Sequence, residues 1–273
     1  NYSPEKNKII INQWIFSRLV DTQTKVLKNL KKYKFNLIIS DLYHFIWNDF
    51  CDLYIELCKY YLKKGENEKK EISLNFSFTF KNILNLINPI IPFVTEKLSR
   101  ELNYINGSLY DQEINKKKNK TINKKKILEF EKIVELIKQI RFDLDGEKNK
   151  ENKISLNVFS KKKIPWVDQN FFLLKSMFNF NEIKYDNTLN GLKKSIFVVS
   201  GLKFSLLKDK NSKFQNTELE KKINFYKNEI LYFEKKLNNK NFLQKAPSKI
   251  VNQQKKKLKE AKINLKLLTE ENV

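Results

Sequence analysis

Lysine is the side chain through which this sequence could do most, and its chemistry is electrostatic. The chain holds 54 Lys+Arg against 31 Asp+Glu, a formal charge of +23, and only three of the cations are arginines (Arg18, Arg100, Arg141). The balance is +5 over residues 1–110, +10 over 111–210 and +8 over 211–273, so the charge grows towards the C-terminal half. Ammonium groups at that density attract phosphates and release their counterions, which makes a nucleic acid the leading partner. Codon drift towards Lys, Asn, Ile and Phe accounts for part of the excess.

Other residue types offer less. Asp49, Asp52 and Glu56 stand at i, i+3 and i+7 of a helical pattern and could imitate a carboxylate site; interhelical hydrogen bonds or salt bridges are the simpler expectation. His44, the one histidine, has no Ser or Cys nucleophile pattern around it and reads as a partly buried, satisfied side chain. Cys51 and Cys58 lie two helical turns apart, roughly 10 Å, too far for a disulfide, and read as core thiols. The five glycines are scattered, so no phosphate-cradling loop exists, and one His with two Cys cannot assemble the usual zinc sites. No complete active site, metal or cofactor is expected in this chain. No run reaches the roughly 18 apolar residues of a membrane span and no signal-peptide core is present, so a cytoplasmic protein is expected without a membrane partner. The missing initial Met suggests a piece of a longer polypeptide.

The elements that must carry these lysines follow from periodicity. Residues 9–32 place Ile11, Trp14, Ile15, Leu19, Val26 and Leu30 at helical spacing. Residues 36–64 are apolar nearly all round, which predicts a helix central in a bundle, with Trp47 and Phe50, like Trp14, as core aromatics and not base-stacking platforms. The polar stretch KKGENEKKE reads as a turn before helices 73–88 and 93–103, which Pro89 and Pro92 separate. Residues 111–126, with lysine triplets 116–118 and 124–126, read as an exposed loop before a helix over 127–145. Alternation at Ile154, Leu156, Val158 and at Leu202, Phe204, Leu206 predicts two short strands, with a short helix at 167–178 between them. In the last 60 residues, Leu219, Ile223, Tyr226, Ile230, Phe233 and Leu237 step by four and three, as do Val251, Gln254, Leu258, Ala261, Leu265 and Leu268. Two such seams on helices joined by a short connection predict an antiparallel coiled-coil hairpin. The fold class expected is therefore mainly α: a helical bundle (1–146), a small α+β element (147–210) and a coiled-coil arm (211–273).

The run from Leu42 to Glu56, LYHFIWNDFCDLYIE, resembles the anticodon-binding bundle of valyl-tRNA synthetase, a class I enzyme. Trp14–Leu19 opens the segment as in that family, and Asn88–Leu98 is similar to its Pro-x-x-Pro-Phe-x-Thr-Glu element. Lys236–Pro247 followed by Ile250 and Val251 resembles the family's hairpin tip, the signal that separates the valyl enzyme from its isoleucyl and leucyl relatives. Asn88 stands where the family usually has His, Ser99 where it often has Trp, and the segment around Arg141 has fewer arginines. The adenylate-forming signatures His-Ile-Gly-His and Lys-Met-Ser-Lys-Ser have no match here, and neither does the Asn-Lys-x-Trp-Asn-Ala motif of the first bundle helix.

The resemblance implies a C-terminal portion of a valine–tRNA ligase, inactive alone, whose ATP-dependent catalytic and editing domains lie upstream in the same polypeptide. It implies valine tRNA as partner, with the bundle discriminating and the arm supplying affinity, and a monomer. Lys235, Lys236, Lys240, Lys245, Lys249, Lys255 and Lys256 are the expected RNA contacts. The competing reading is a non-catalytic basic helical adaptor for RNA.

Overall fold

The structure is a computed structural model that describes residues 2–112, 123–144, 154–178, 180–186, 194–208, 217–239, 242–243 and 246–269. It divides into two compact units, residues 1–131 and 132–273, and the division falls inside one helix.

In the first unit, α1 (Ile10–Leu30) buries Ile11, Trp14, Ile15, Phe16, Leu19 and Val26 along the predicted stripe. No side chain of its own caps its start. Instead the Glu71 carboxylate, from α4 (Glu66–Ile87), accepts the Ile9 backbone N–H at 2.9 Å and the Asn12 side-chain N–H at 3.0 Å. An anion at a helix N-terminus meets the unpaired N–H groups and the positive end of the dipole. α1 stops at Tyr33, whose φ of 54° lets Lys34 N–H reach back to Asn29 O at 3.0 Å.

α2 (Phe35–Tyr43) runs into a π-helical stretch (His44–Tyr54) and on into α3 (Ile55–Tyr61). The i→i+5 bonding advances fewer degrees per residue, so over this stretch the phase slips by roughly half a turn against a regular α-helix. Along this helix three expectations are corrected, those for Trp47, Cys51 and His44. Phe50 is buried and packs on Tyr54, Phe76 and Phe80 with ring centroids 5.3–6.2 Å apart. Trp47, however, is 60% exposed, stacked on exposed Tyr43 at 6.3 Å. Cys51 is exposed while Cys58 is buried. His44 is exposed too, with Asn48 Nδ2 3.1 Å from its Nδ1. The helix thus buries one broad face, not its whole circumference.

α4 begins seven residues before the helix predicted there, because Gly65 takes an extended conformation and Glu66 and Glu68 favour a first turn. Asn88 ends it and donates to the Thr95 hydroxyl at 2.9 Å across the break to α5 (Pro92–Glu101). Glu96 then holds the following loop: its carboxylate accepts Leu109 N–H at 2.8 Å, and that bond chiefly keeps its pKa below the usual carboxylate range.

α6 (Lys124–Leu144) starts inside the stretch expected to be a loop: Asn123 Oδ1 accepts the N–H groups of Lys125 and Lys126 as an N-cap. The first lysine triplet, 116–118, lies outside the described residues.

In the second unit a four-stranded sheet has the order β2-β1-β4-β3, from β1 (Ile154–Val158), β2 (Phe180–Tyr185), β3 (Lys194–Val199) and β4 (Leu202–Lys208). β1 and β4, the two strands expected, are its centre and pair antiparallel with Leu156 opposite Leu206. β2 adds parallel to β1, and β3 adds antiparallel to β4 through a tight turn at Ser200 and Gly201, both with positive φ. In place of one short helix, α7 (Pro165–Asp168) and α8 (Phe171–Phe178) cover this region, with Trp166 against Phe204 at 6.1 Å. α9 (Thr217–Leu237) and α10 (Ser248–Thr269) form the hairpin.

Candidate nucleic-acid interface

The hairpin's seam residues are the least exposed on their helices. Phe233, Ala261 and Leu268 are buried, while Ile223, Tyr226, Ile230, Val251, Gln254, Leu258 and Leu265 are half-buried. Lys262 Nζ meets Glu234 Oε1 at 2.6 Å across the two helices, and Asn264 hydrogen-bonds Tyr226. The arm is rooted on the sheet: Leu268 packs with Ile196 and Val198 of β3, and Ile223, Tyr226 and Leu267 close around them. A buried ion pair fastens the root again. Lys222 of α9 reaches Asp143 of α6, whose side chain is fully buried, and also donates to Ile196 O at 3.3 Å. A buried carboxylate with a paired cation holds the two helices in one register.

With the seam turned inward, α10 presents Lys255, Lys259, Lys262 and Lys266 along one side, flanking a shallow groove with Leu258 and Ile263. Spacings of four, three and four put these ammonium groups on one helical face over about 16 Å. Lys262 and Lys266 also have partners within the protein. A line of cations at this pitch suits a phosphate backbone, which it can hold without reading bases.

The expected contact residues fall into three groups. Lys235 and Lys255 are solvent-exposed, and exposed Lys256 sits 3.7 Å from Glu260 one turn on. Lys236 is half-buried. Its ammonium lies over the rings of Tyr232 (5.3 Å) and Phe242 (5.2 Å) and 3.3 Å from the Tyr232 hydroxyl, so it ties the end of α9 to the connection. Lys240 and Lys245 lie outside the described residues, as does the side chain of Lys249. Sequence reasoning missed Lys222, whose neighbour in space is 79 positions away, and the exposed aromatics Phe142 and Phe225. Phe225 did carry a signal: it is a large aromatic one place off the seam.

The bundle supplies no reactive constellation. Asp49 is buried and accepts Arg18 Nε at 2.8 Å, whereas Glu56 pairs with Lys59 at 2.6 Å on the surface. Among the described residues no group of three or more His, Cys, Asp or Glu could hold a metal, and no helix is long and apolar enough to cross a membrane.

The chain thus comprises a helical bundle and, in its second unit, a small sheet that roots a lysine-striped hairpin. Residues 12–157 match the family model described as the anticodon-binding domain of tRNA ligase, and residues 215–271 match the valyl tRNA synthetase tRNA binding arm. The valine–tRNA ligase of Pelagibacter ubique (strain HTCC1062) is 30% identical over 254 residues, which cover 90% of this chain and 29% of that enzyme. That of Staphylococcus aureus (strain JH9) is 28% identical over 260 residues, 92% of this chain and 30% of the enzyme. The chain belongs to the tRNA-ligase anticodon-binding family, and specifically to the C-terminal region of the valine–tRNA ligases. It spans less than a third of the length of these relatives, and neither matched model is a catalytic domain.

Proposed function

We propose that this chain docks valine tRNA for a valine–tRNA ligase, so that a catalytic domain elsewhere in the same polypeptide can join valine to it at the expense of ATP. The observation that carries the reading is the arm: a hairpin anchored at its root by Lys222–Asp143 and the β3 contacts, with cations along α10. In this division of labour the arm grips phosphates through Lys235, Lys255 and Lys256, with Lys236, Lys240, Lys245 and Lys249 shaping or extending the grip at the hairpin end. The bundle discriminates between tRNAs, because unpaired loop bases are where a protein can read RNA sequence. The working domain division is 1–146, 147–210 and 211–273, in a monomeric cytoplasmic protein whose ATP is bound outside this chain.

Binding of the purified chain to valine tRNA and to a non-cognate tRNA, at rising salt, tests the reading. Tighter cognate binding that persists at physiological salt is expected. Equal affinities that collapse together with salt would point to the nonspecific basic adaptor, the reading that the charge of +23 alone favours.

A further inference from the structure

At the root of the arm, α6, β3 and α9 enclose a cleft of about 530 Å³, within the range of sites that take small ligands. Its aromatic walls are Phe142 from α6, Phe197 from β3 and Phe225 and Tyr226 from α9. Two of these rings are largely open to solvent. Phe197 is buried and stacks on Phe204 at 5.9 Å, but Phe142 is 69% exposed and Phe225 is 57% exposed. Gln139 and Lys221 add an amide and an exposed cation. Among the described residues no carboxylate lines the cleft, and Asp143 pairs with Lys222, whose ammonium lies behind the Phe197 and Phe142 rings at 5.5 and 5.9 Å.

Ring faces, an amide that both donates and accepts, and an exposed cation select a flat heteroaromatic ring carrying a negative group, which is a nucleotide. One exposed lysine is a weak hold for a free nucleotide's phosphates, and the chain has no glycine-rich loop to help. A base carried on an RNA that the arm already grips arrives at high effective concentration and needs little more. We infer that the cleft receives one unstacked nucleotide of the bound RNA, its base against Phe142 and Phe225 and its phosphate near Lys221. This inference rests on the docking function proposed above.

The test uses the full 273-residue chain with labelled tRNA across a salt series, and adenosine monophosphate followed through the aromatic ring signals in NMR. F142A/F225A loses about tenfold in RNA affinity at every salt concentration, because stacking is removed and no phosphate contact is. K221Q shallows the salt dependence by roughly one phosphate contact. F142Y/F225Y, which keeps the ring faces, binds as the original chain does. Both rings are exposed, so the unfolding midpoint of each variant stays in place. RNA affinity unchanged in F142A/F225A overturns the inference. Ring shifts with the mononucleotide, beside RNA binding that ignores the variant, overturn the RNA source and make the cleft a free-nucleotide site. If the original chain binds no tRNA, the docking function fails instead. The cleft is then judged by the mononucleotide alone: shifts abolished by F142A/F225A keep the nucleotide assignment, and no shifts overturn it.

Discussion

The bundle and the arm spend their polar groups in opposite ways. In the bundle, one set of polar side chains turns inward and its members bond one another: Asn75 accepts from Tyr2 (2.8 Å) and Asn7 (2.9 Å) and donates to Tyr54 (2.8 Å), which donates to Asn12 (2.7 Å). Such a network is costly unless complete and, once complete, specifies a single arrangement of the strands of chain that meet there. In the arm, most lysines face water, and one narrow seam with the Lys262–Glu234 pair holds the helices together. The bundle is therefore a fixed surface, whereas the arm is a lever whose position depends on its root.

The root is where this contrast breaks most easily. Lys222→Gln takes the Lys222 ammonium from the buried Asp143 carboxylate and should cost about 3–5 kcal/mol. Urea unfolding should show the loss in the second unit, while the bundle's transition stays in place. A smaller loss is expected within the bundle. Asn75→Ala leaves the Asn7 side-chain N–H without its acceptor and the Tyr54 hydroxyl without its donor, and should cost about 1–3 kcal/mol by the same measurement, with the salt dependence of RNA binding unaltered.

Alkali sharpens the comparison further. Burial pushes the Cys58 thiol up to about 12 and raises the hydroxyls of Tyr54 and Tyr61 well above the usual phenol range. Above about pH 9 the unfolded chain sheds protons that the folded bundle keeps, so its stability falls as pH rises towards 12. Thermal unfolding followed from pH 8 to pH 11 should show that decline. Native-state labelling with a thiol reagent should modify Cys51 quickly and Cys58 only on unfolding. On the arm, Lys256→Gln removes only an exposed pair one turn long and should change stability by less than about 0.5 kcal/mol.

Much of the arm was legible in the sequence, because a seam that steps by four and three needs no tertiary information: the positions it marked, from Ile223 to Leu268, face inward. The central strands were legible for the same reason, through alternation. β2 escaped because it is an edge strand with an exposed, charged face, Asn181, Glu182 and Lys184, in which little alternation survives. Trp47 and Cys51 were misplaced because the run was read as apolar nearly all round, whereas it buries one face, marked by Phe45, Phe50, Leu53 and Leu57, between whose turns both residues fall. The lysines on α10 could be seen in advance. The pairing of Lys222 with Asp143, and the cleft beside it, could not, since both are made by residues some 80 positions apart.

The central claim is that the arm grips RNA phosphates while the bundle does not depend on them. It is tested most directly by the salt dependence of valine tRNA binding for the original chain and for K255Q/K259Q/K266Q. The account predicts that the triple variant folds normally, binds more weakly at low salt, and shows a log–log slope shallower by about two to three. An unchanged slope would contradict it, and would mean that these cations face water and not the tRNA.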